Sequence, residues 1–532
     1  MTTTASWYSR FRDWNERISA IRFDRFRTPF LRLALLTALA VLVHGYHLGV
    51  DDSEIYIPAI KRVADPGLYR FGSEFFESHA RLSFFPELIG YSARLTRLPI
   101  DSVIFLWHLV GIFLLLLACW RLACICFTTN HARWSAVALV AGVLSVPVAG
   151  TALAIMDPYL TARSLSTPAT IFAIACYLSG KPKRAVAWVL FTALIHPQMS
   201  VYAAAFLGCL ALAGVWRFRP CVNSAPTLAP LSALGLPFLF EFEPARGAAR
   251  EALFSRTYFF VSNWTWYEWV GIFAPLALLL WFSSKAPKGT TPSSRTLART
   301  LVPYGLLFTA AGLVLSFSAR FENFTRLQPM RAFHLIYVIF FLLLGGLIGE
   351  YVLGSGKRRW LGLFLPLATS MWLLQLGSFP SSSHVEWPGD SGRNTWVDAF
   401  FWIRDHTPKD AVFALDPDYM MLSGADLHGF RAIAERSVLA DNVKDSGVAS
   451  LFPQIAERWK RQVQAQSGWK NFLIADFTNL ANEYPVTWIV IRHPSPAGIV
   501  CPYENRELMI CKIDASPSLA AVSSKAPLPK AP

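Results

Sequence analysis

Long apolar runs separated by short polar or cationic gaps fill most of the first 380 residues. About 20 apolar residues cross a bilayer as a helix. Runs approaching that length lie near 29–49, 102–126, 134–155, 166–180, 185–197, 199–215, 227–240, 268–283, 299–319, 332–353 and 360–379. The pattern predicts an α-helical multi-pass membrane domain over 29–380 with about eleven spans. Several runs are short, and His196-Pro197 breaks one hairpin that need not cross fully. Residues 1–28 are polar and Arg-rich, without the apolar core and cleavage site of a signal peptide, and read as a cytoplasmic basic amphipathic segment. Residues 50–100 are too charged to span and too long for a tight turn. They predict a large first outside loop with interfacial helices, placing Phe75, Phe76, Phe84, Phe85 and Tyr91 at headgroup level.

Beyond residue 380 the periodicity changes. Asn394 to His406 is amphipathic, Ala411 to Leu415 and Thr487 to Arg492 are short β-rich runs, Leu451 to Gln466 reads as a helix, and Val500 to Ile513 as a hairpin. A soluble α/β domain is predicted over 381–520, with a disordered tail over 521–532.

Composition supports the membrane reading. Of 532 residues, 54% are hydrophobic and 16% charged, and the mean hydropathy is +0.37. This excludes a disordered or fibrous chain. The net charge of +14 resembles a nucleic-acid signal until it is placed along the chain. Residues 381–532 hold 15 basic and 17 acidic residues, so the first 380 carry 34 and 18. The excess falls in gaps between apolar runs, such as Lys181-Pro182-Lys183-Arg184 and Lys357-Arg358-Arg359. That is the positive-inside pattern, not one contiguous basic face, and no nucleic-acid partner is expected. It predicts an integral inner-membrane protein with its N-terminus cytoplasmic, loops 50–100, 157–165, 241–267 and 320–331 outside, and the C-terminal domain extracytoplasmic.

Five cysteines lie in apolar runs, no CxxC is present, and Cys501 and Cys511 can face each other across the hairpin, where an oxidising compartment would permit a disulfide. Walker A, GxSxG, HExxH and dinucleotide-binding glycine motifs are absent, which argues against an ATP-driven pump and a soluble-type hydrolase.

The sharpest chemical feature is Asp51-Asp52-Ser53-Glu54, directly after the first span. Carboxylates at a membrane border need solvation, partners or a function. Two readings stand: a general base or hard oxygen ligands for a divalent cation, or a capping box with Asp51 as N-cap and Glu54 three residues on. Outside-facing cations and polar groups form a second feature: Arg163 after Asp157-Pro158-Tyr159, His196 at the helix break, and Arg326, Gln328 and Arg331 between two late spans. They depart from the positive-inside rule. A lipid phosphate gripped by arginine explains them, as do headgroups or partner carboxylates. Arg81, beside His79, is a further binding candidate or a snorkelling side chain. In the C-terminal domain, Arg431, Glu435, Arg436, Asp441, Lys444 and Asp445 read as a salt-bridged rim facing the membrane domain or as part of acceptor recognition.

This layout resembles the GT-C superfamily of integral-membrane glycosyltransferases. The likeness lies in the acidic cluster opening a long first loop, the aromatic helices after it, the span count and the outer α/β domain. The resemblance implies a polyprenyl-phosphate-linked sugar donor, membrane lipids as partners, an acceptor of unspecified class, Asp51 or Asp52 as base, and Arg326 or Arg331 holding the donor phosphate. The competing expectations are a transporter or flippase for a lipid-linked or small solute, and a non-catalytic membrane scaffold.

Overall fold

The computed structural model describes residues 29–217, 244–390 and 393–513. The basic segment 1–28, the span expected at 227–240 and the tail 521–532 lie outside the described residues.

The fold is mostly helical, with a small C-terminal sheet. Among the described residues, five helical stretches are long and apolar enough to cross a membrane: Ile100–Cys126, Trp266–Lys285, Pro292–Phe317, Ala319–Leu353 and Lys357–Ser378. This is fewer than the eleven spans expected, and the reasons are local. The first run is a shorter apolar helix, Pro29–His44, here α1. The run at 134–155 is helical only over Asn130–Gly142. It then breaks into turns around Pro147 and Gly150, with a bridge between Pro147 and Ala154, because proline cannot donate to a helix. Arg163–Leu178 and Pro182–Ile195 have 16 and 14 residues, so they reach only about 24 and 21 Å. His196 closes the second of these and Pro197 opens the next helix, Pro197–Arg217, so the expected break is there.

The first loop folds into α2 (Ser53–Ala64), α3 (Glu74–Ala80) and α4 (Phe85–Thr96). Its aromatics divide differently from expectation. Phe75, Phe76 and Phe85 are buried, while Phe84 and Tyr91 are exposed. Phe75 packs into an apolar cluster with Ala440, Val448 and Trp459 of the C-terminal unit. The loop is thus an interface between the two parts of the chain, and burial against protein replaces the headgroup contacts predicted for these rings.

The C-terminal unit carries β1 (Val412–Ala414), β2 (Ser437–Val438), β3 (Trp488–Arg492), β4 (Val500–Glu504) and β5 (Leu508–Lys512). Strand order is β2-β1-β3-β5-β4, with β2, β1 and β3 parallel and β3, β5 and β4 antiparallel. Thr395–His406, capped by Asn394, packs on β5. Cys501 and Cys511 form the disulfide across the β4–β5 hairpin. The expected helix over 451–466 is interrupted: one helix ends at Leu451, Pro453 begins a single tight turn, and a second runs Ala456–Ala465.

Candidate functional site

The acid pair is positioned by backbone pairing before any side chain acts. After α1, residues 45–51 run between two segments of the distant C-terminal part. Tyr46 NH bonds His384 O (3.1 Å), Glu386 NH bonds Tyr46 O (2.9 Å), Gly429 NH bonds Gly49 O (2.8 Å), and Asp51 NH bonds Leu427 O (3.0 Å). Beneath this, Glu386 accepts from His47 Nδ1 (3.0 Å), His428 Nε2 (2.9 Å) and Leu48 NH (2.8 Å). Asp51 then takes a left-handed backbone, φ 54°, which Asp tolerates better than most residues. Asp51, Ala149, Ala152, Gln328 and Leu427 are all left-handed and all line the two cavities flanking the acid pair. Such backbone persists only where its surroundings hold it, and it gathers at functional sites.

All four carboxylate oxygens of the pair are engaged. Lys444 Nζ bridges Asp51 Oδ1 and Asp52 Oδ1, the latter at 3.1 Å. Tyr159 OH donates to Asp51 Oδ2 (2.8 Å). Arg163 Nη2 donates to Asp52 Oδ2 (3.1 Å) and to Asp157 Oδ2 (2.8 Å). Burial pushes the Asp52 carboxyl up, but Arg163 and Arg331 outweigh it and hold it below its ordinary value. Burial lowers the Lys444 ammonium to about 7.

Glu54 leaves the set. No side-chain cap forms on α2, so the capping-box reading fails. Glu54 instead accepts from the backbone NH of Arg431 and of Ala432, each at 2.9 Å. It caps the start of the short helix Phe430–Ala434 in the other unit. Gly429 is required there, because a Cβ would overlap the Glu54 carboxylate. Arg431 continues the cluster with a two-pronged pair to Asp445, at 3.0 and 2.7 Å. A divalent cation held by Asp51, Asp52 and Glu54 as a set is therefore not what this geometry offers.

On the Asp52 side is a small cavity of about 70 Å³, lined by Tyr56, His79, Arg163, Arg256, Gln328, Arg331 and Lys444 among others. Arg163 and Lys444 are neutralised by carboxylates. Arg256 and Arg331 are not: among the described residues neither pairs with an acid. Arg256 donates to Val443 O and to Ser446 Oγ (2.6 Å), and Arg331 to Gln198 Oε1 (3.4 Å). The Nε of each is buried without a partner, as is Gln328 Oε1. Burial outweighs the pull of Asp52 and lowers His79 to about 4, so its imidazole is neutral. On the Asp51 side is a larger cavity of about 420 Å³, lined by Asp51, Asp157, Tyr159, Tyr258, Glu268 and Gln375 among others. Tyr258 belongs to both walls.

The structure thus brings together Asp51, Asp52, Arg163, Gln328 and Arg331 from the sequence candidates. Arg81 is exposed and pairs with Glu77 (3.0 Å), off the cavity wall. Arg326 bonds Asn323 Oδ1 (2.8 Å) and does not line the cavity. His196 is buried at the helix break, its Nε2 unpartnered. Sequence reasoning missed Arg256 and the role of Lys444. The run Asp441 to Asp445 flagged a charged rim, but nothing local ties residue 444 to residue 51.

The Glu54 cluster makes a pH prediction. Burial, opposed by Arg431, raises Glu54 from 4.5 to about 8. The native state then binds this proton more tightly than the unfolded chain. Its stabilisation is full below 4.5 and is lost as pH rises towards 8. Thermal unfolding of the parent should weaken relative to Glu54→Gln over that window, by at most about 1.4 kcal/mol per pH unit. Parallel pH profiles for the two proteins would contradict the assignment.

No protein-family model matches the chain, and no curated protein matches it.

Proposed function

We propose that the chain is an integral-membrane glycosyltransferase that moves a sugar from a polyprenyl-phosphate donor to an acceptor hydroxyl at the outer face of the inner membrane. One observation carries the reading: Asp52, joined to Asp51 by Lys444, shares a cavity wall with two half-buried arginines that have no carboxylate partner and a buried, unsatisfied Nε each. A buried guanidinium N–H without an acceptor is costly, and a phosphate is the partner whose geometry suits the arginine fork.

The chemistry then balances with few groups. Arg256 and Arg331 bind the donor phosphate on the Asp52 side. The acceptor enters the larger cavity and meets Asp51, which takes its hydroxyl proton as the acceptor oxygen bonds the anomeric carbon. The bond from that carbon to the phosphate oxygen breaks, and the lipid phosphate leaves as an anion already held by arginine. No general acid is required. Asp52 holds Arg163 and Lys444 in place beside the reacting centre. Five helices able to cross a membrane fit a lipid-borne donor, and the Cys501–Cys511 bond suits an oxidising, extracytoplasmic compartment.

The test is transfer by the purified full chain in liposomes, using radiolabelled polyprenyl-phosphate hexose and pentose. Expected is release of polyprenyl phosphate matched by glycosylated product. Arg256→Gln and Arg331→Gln should each raise KM for the donor about tenfold. Passage of intact donor across the bilayer without covalent product would favour the transporter reading instead. A biological effect reproduced by the C-terminal unit alone would favour the scaffold.

A further inference from the structure

The C-terminal unit has a second concavity, away from the acid pair, where its fold favours binding. In the parallel set β2-β1-β3, the chain leaves β1 towards β2 on one side and leaves β3 towards β5 and β4 on the other. The carboxyl ends of β1 and β3 therefore flank a topological switch point, the place where open α/β sheets bind ligands. Asp416 lies two residues past β1, Arg492 ends β3 and His493 follows it. All three line a cavity of about 380 Å³ at that edge. A second cavity of about 280 Å³ shares Asp416, Leu422, Trp469 and Lys470 with it. Each is of the order of the about 300 Å³ at which ligand pockets begin.

The two chambers differ in chemistry. The first is walled by Trp396, Trp469, Phe472 and Phe477. The second is lined by Asp418, Asn442, Gln466, Ser467 and Asn471. Asp416 and Lys470 stand on the shared wall, and among the described residues neither makes an ion pair. Aromatic rings beside carboxylate and amide groups suit a ring with an apolar C–H face and hydroxyl edges. A nucleotide fits poorly. The turn after β1 reads Leu415-Asp416-Pro417-Asp418, with two carboxylates where a phosphate-binding turn places glycine and free NH groups.

We propose that this two-chambered groove at the carboxyl edge of the parallel strands is a carbohydrate-binding site for a short neutral oligosaccharide. The exposed edge of Trp469 and the half-buried Phe472 supply an apolar wall, and Lys470 and the Asp416 oxygen not bonded by Asp418 NH read hydroxyl groups. The groove stands apart from the acid-pair cavity but touches it through sequence: Asn442 lines the groove and Lys444, two residues on, lines the cavity. The site does not depend on the transferase reading and is tested without turnover.

The experiment is saturation-transfer NMR on the full chain in detergent micelles, with maltotriose, mannotriose and chitotriose as probes and ATP as the nucleotide control. At least one trisaccharide should receive magnetisation at its ring protons, with Kd of about 1 mM or below. Asp416→Asn and Lys470→Ala should each weaken it about tenfold at an unchanged unfolding temperature. Should either variant unfold early, Asn471→Ala, at an exposed position, is expected to weaken binding in its place. Absence of transfer to all three sugars, parent-like binding by the variants, or displacement of sugar by ATP would each overturn the proposal.

Discussion

Converting Asp51 and Asp52 together to Asn is expected to cut sugar transfer by about 10²–10⁴-fold, the usual worth of a positioned base. Donor binding should survive, because Arg256 and Arg331 remain and the donor side gains net positive charge. Asn tolerates a left-handed backbone as Asp does, so the turn at residue 51 is preserved and the loss reports on chemistry. The single variants should separate the two acids. Asp51 faces the roomier cavity and bonds Tyr159, so Asp51→Asn should account for most of the loss in kcat. Asp52 holds Arg163 and Lys444, so Asp52→Asn should cause the smaller loss in kcat, through their misplacement. Wild-type turnover in the double variant would remove the pair as the base.

The second large effect is on folding. Arg431 is buried, 1% exposed, among Glu54, Asp445 and Asp441. Burial followed by the neighbouring Asp445 raises Asp441 to about 7, so this cluster already sits near its limit for negative charge. Arg431→Met strands the carboxylates and should destabilise the protein by about 3–5 kcal/mol, measured by denaturant unfolding of the full chain in micelles. The deficit should shrink on acidification, as the freed carboxylates take up protons, and should shrink again when Glu54→Gln is combined with it. A loss below about 1 kcal/mol, or one independent of pH, would show that the cluster does not join the two parts of the chain.

Much of the outline was legible in the sequence because it depends on local periodicity. The strands at 412–414 and 488–492, the hairpin closing with Cys501 and Cys511, the helix after Asn394 and the break at His196-Pro197 all lie where short-range pattern put them. The span count was not legible. Hydropathy over 134–155 averages across Pro147 and Gly150, and it cannot say whether a 14-residue apolar helix is buried by neighbours or crosses lipid. At the site, Asp51, Asp52, Arg163 and Arg331 could be picked out as charges that break the pattern around them. The spacing of Glu54 from Asp51 matches a capping box, one of its two readings, but its carboxylate bonds the Arg431 NH, 377 residues away. Arg256 carries no local signature, and the charged run that contains Lys444 does not point to Asp51. Their place follows from the packing of the C-terminal unit on α2 and α3, which one sequence does not encode at short range.

The lysine that bridges the aspartate pair lies 393 residues beyond Asp51. At a synthesis rate of about 5–20 residues per second, roughly 20–80 s separate the two on the ribosome. During that interval the first helix and its loop are already made while the acid pair has neither Lys444 nor Arg256. A chain truncated before residue 444 keeps each of the five described helical stretches long enough to cross a bilayer yet carries an incomplete cavity. Completion of the site thus falls on the last quarter of the chain: the C-terminal unit must fold and dock before the helices made earlier acquire a finished cavity.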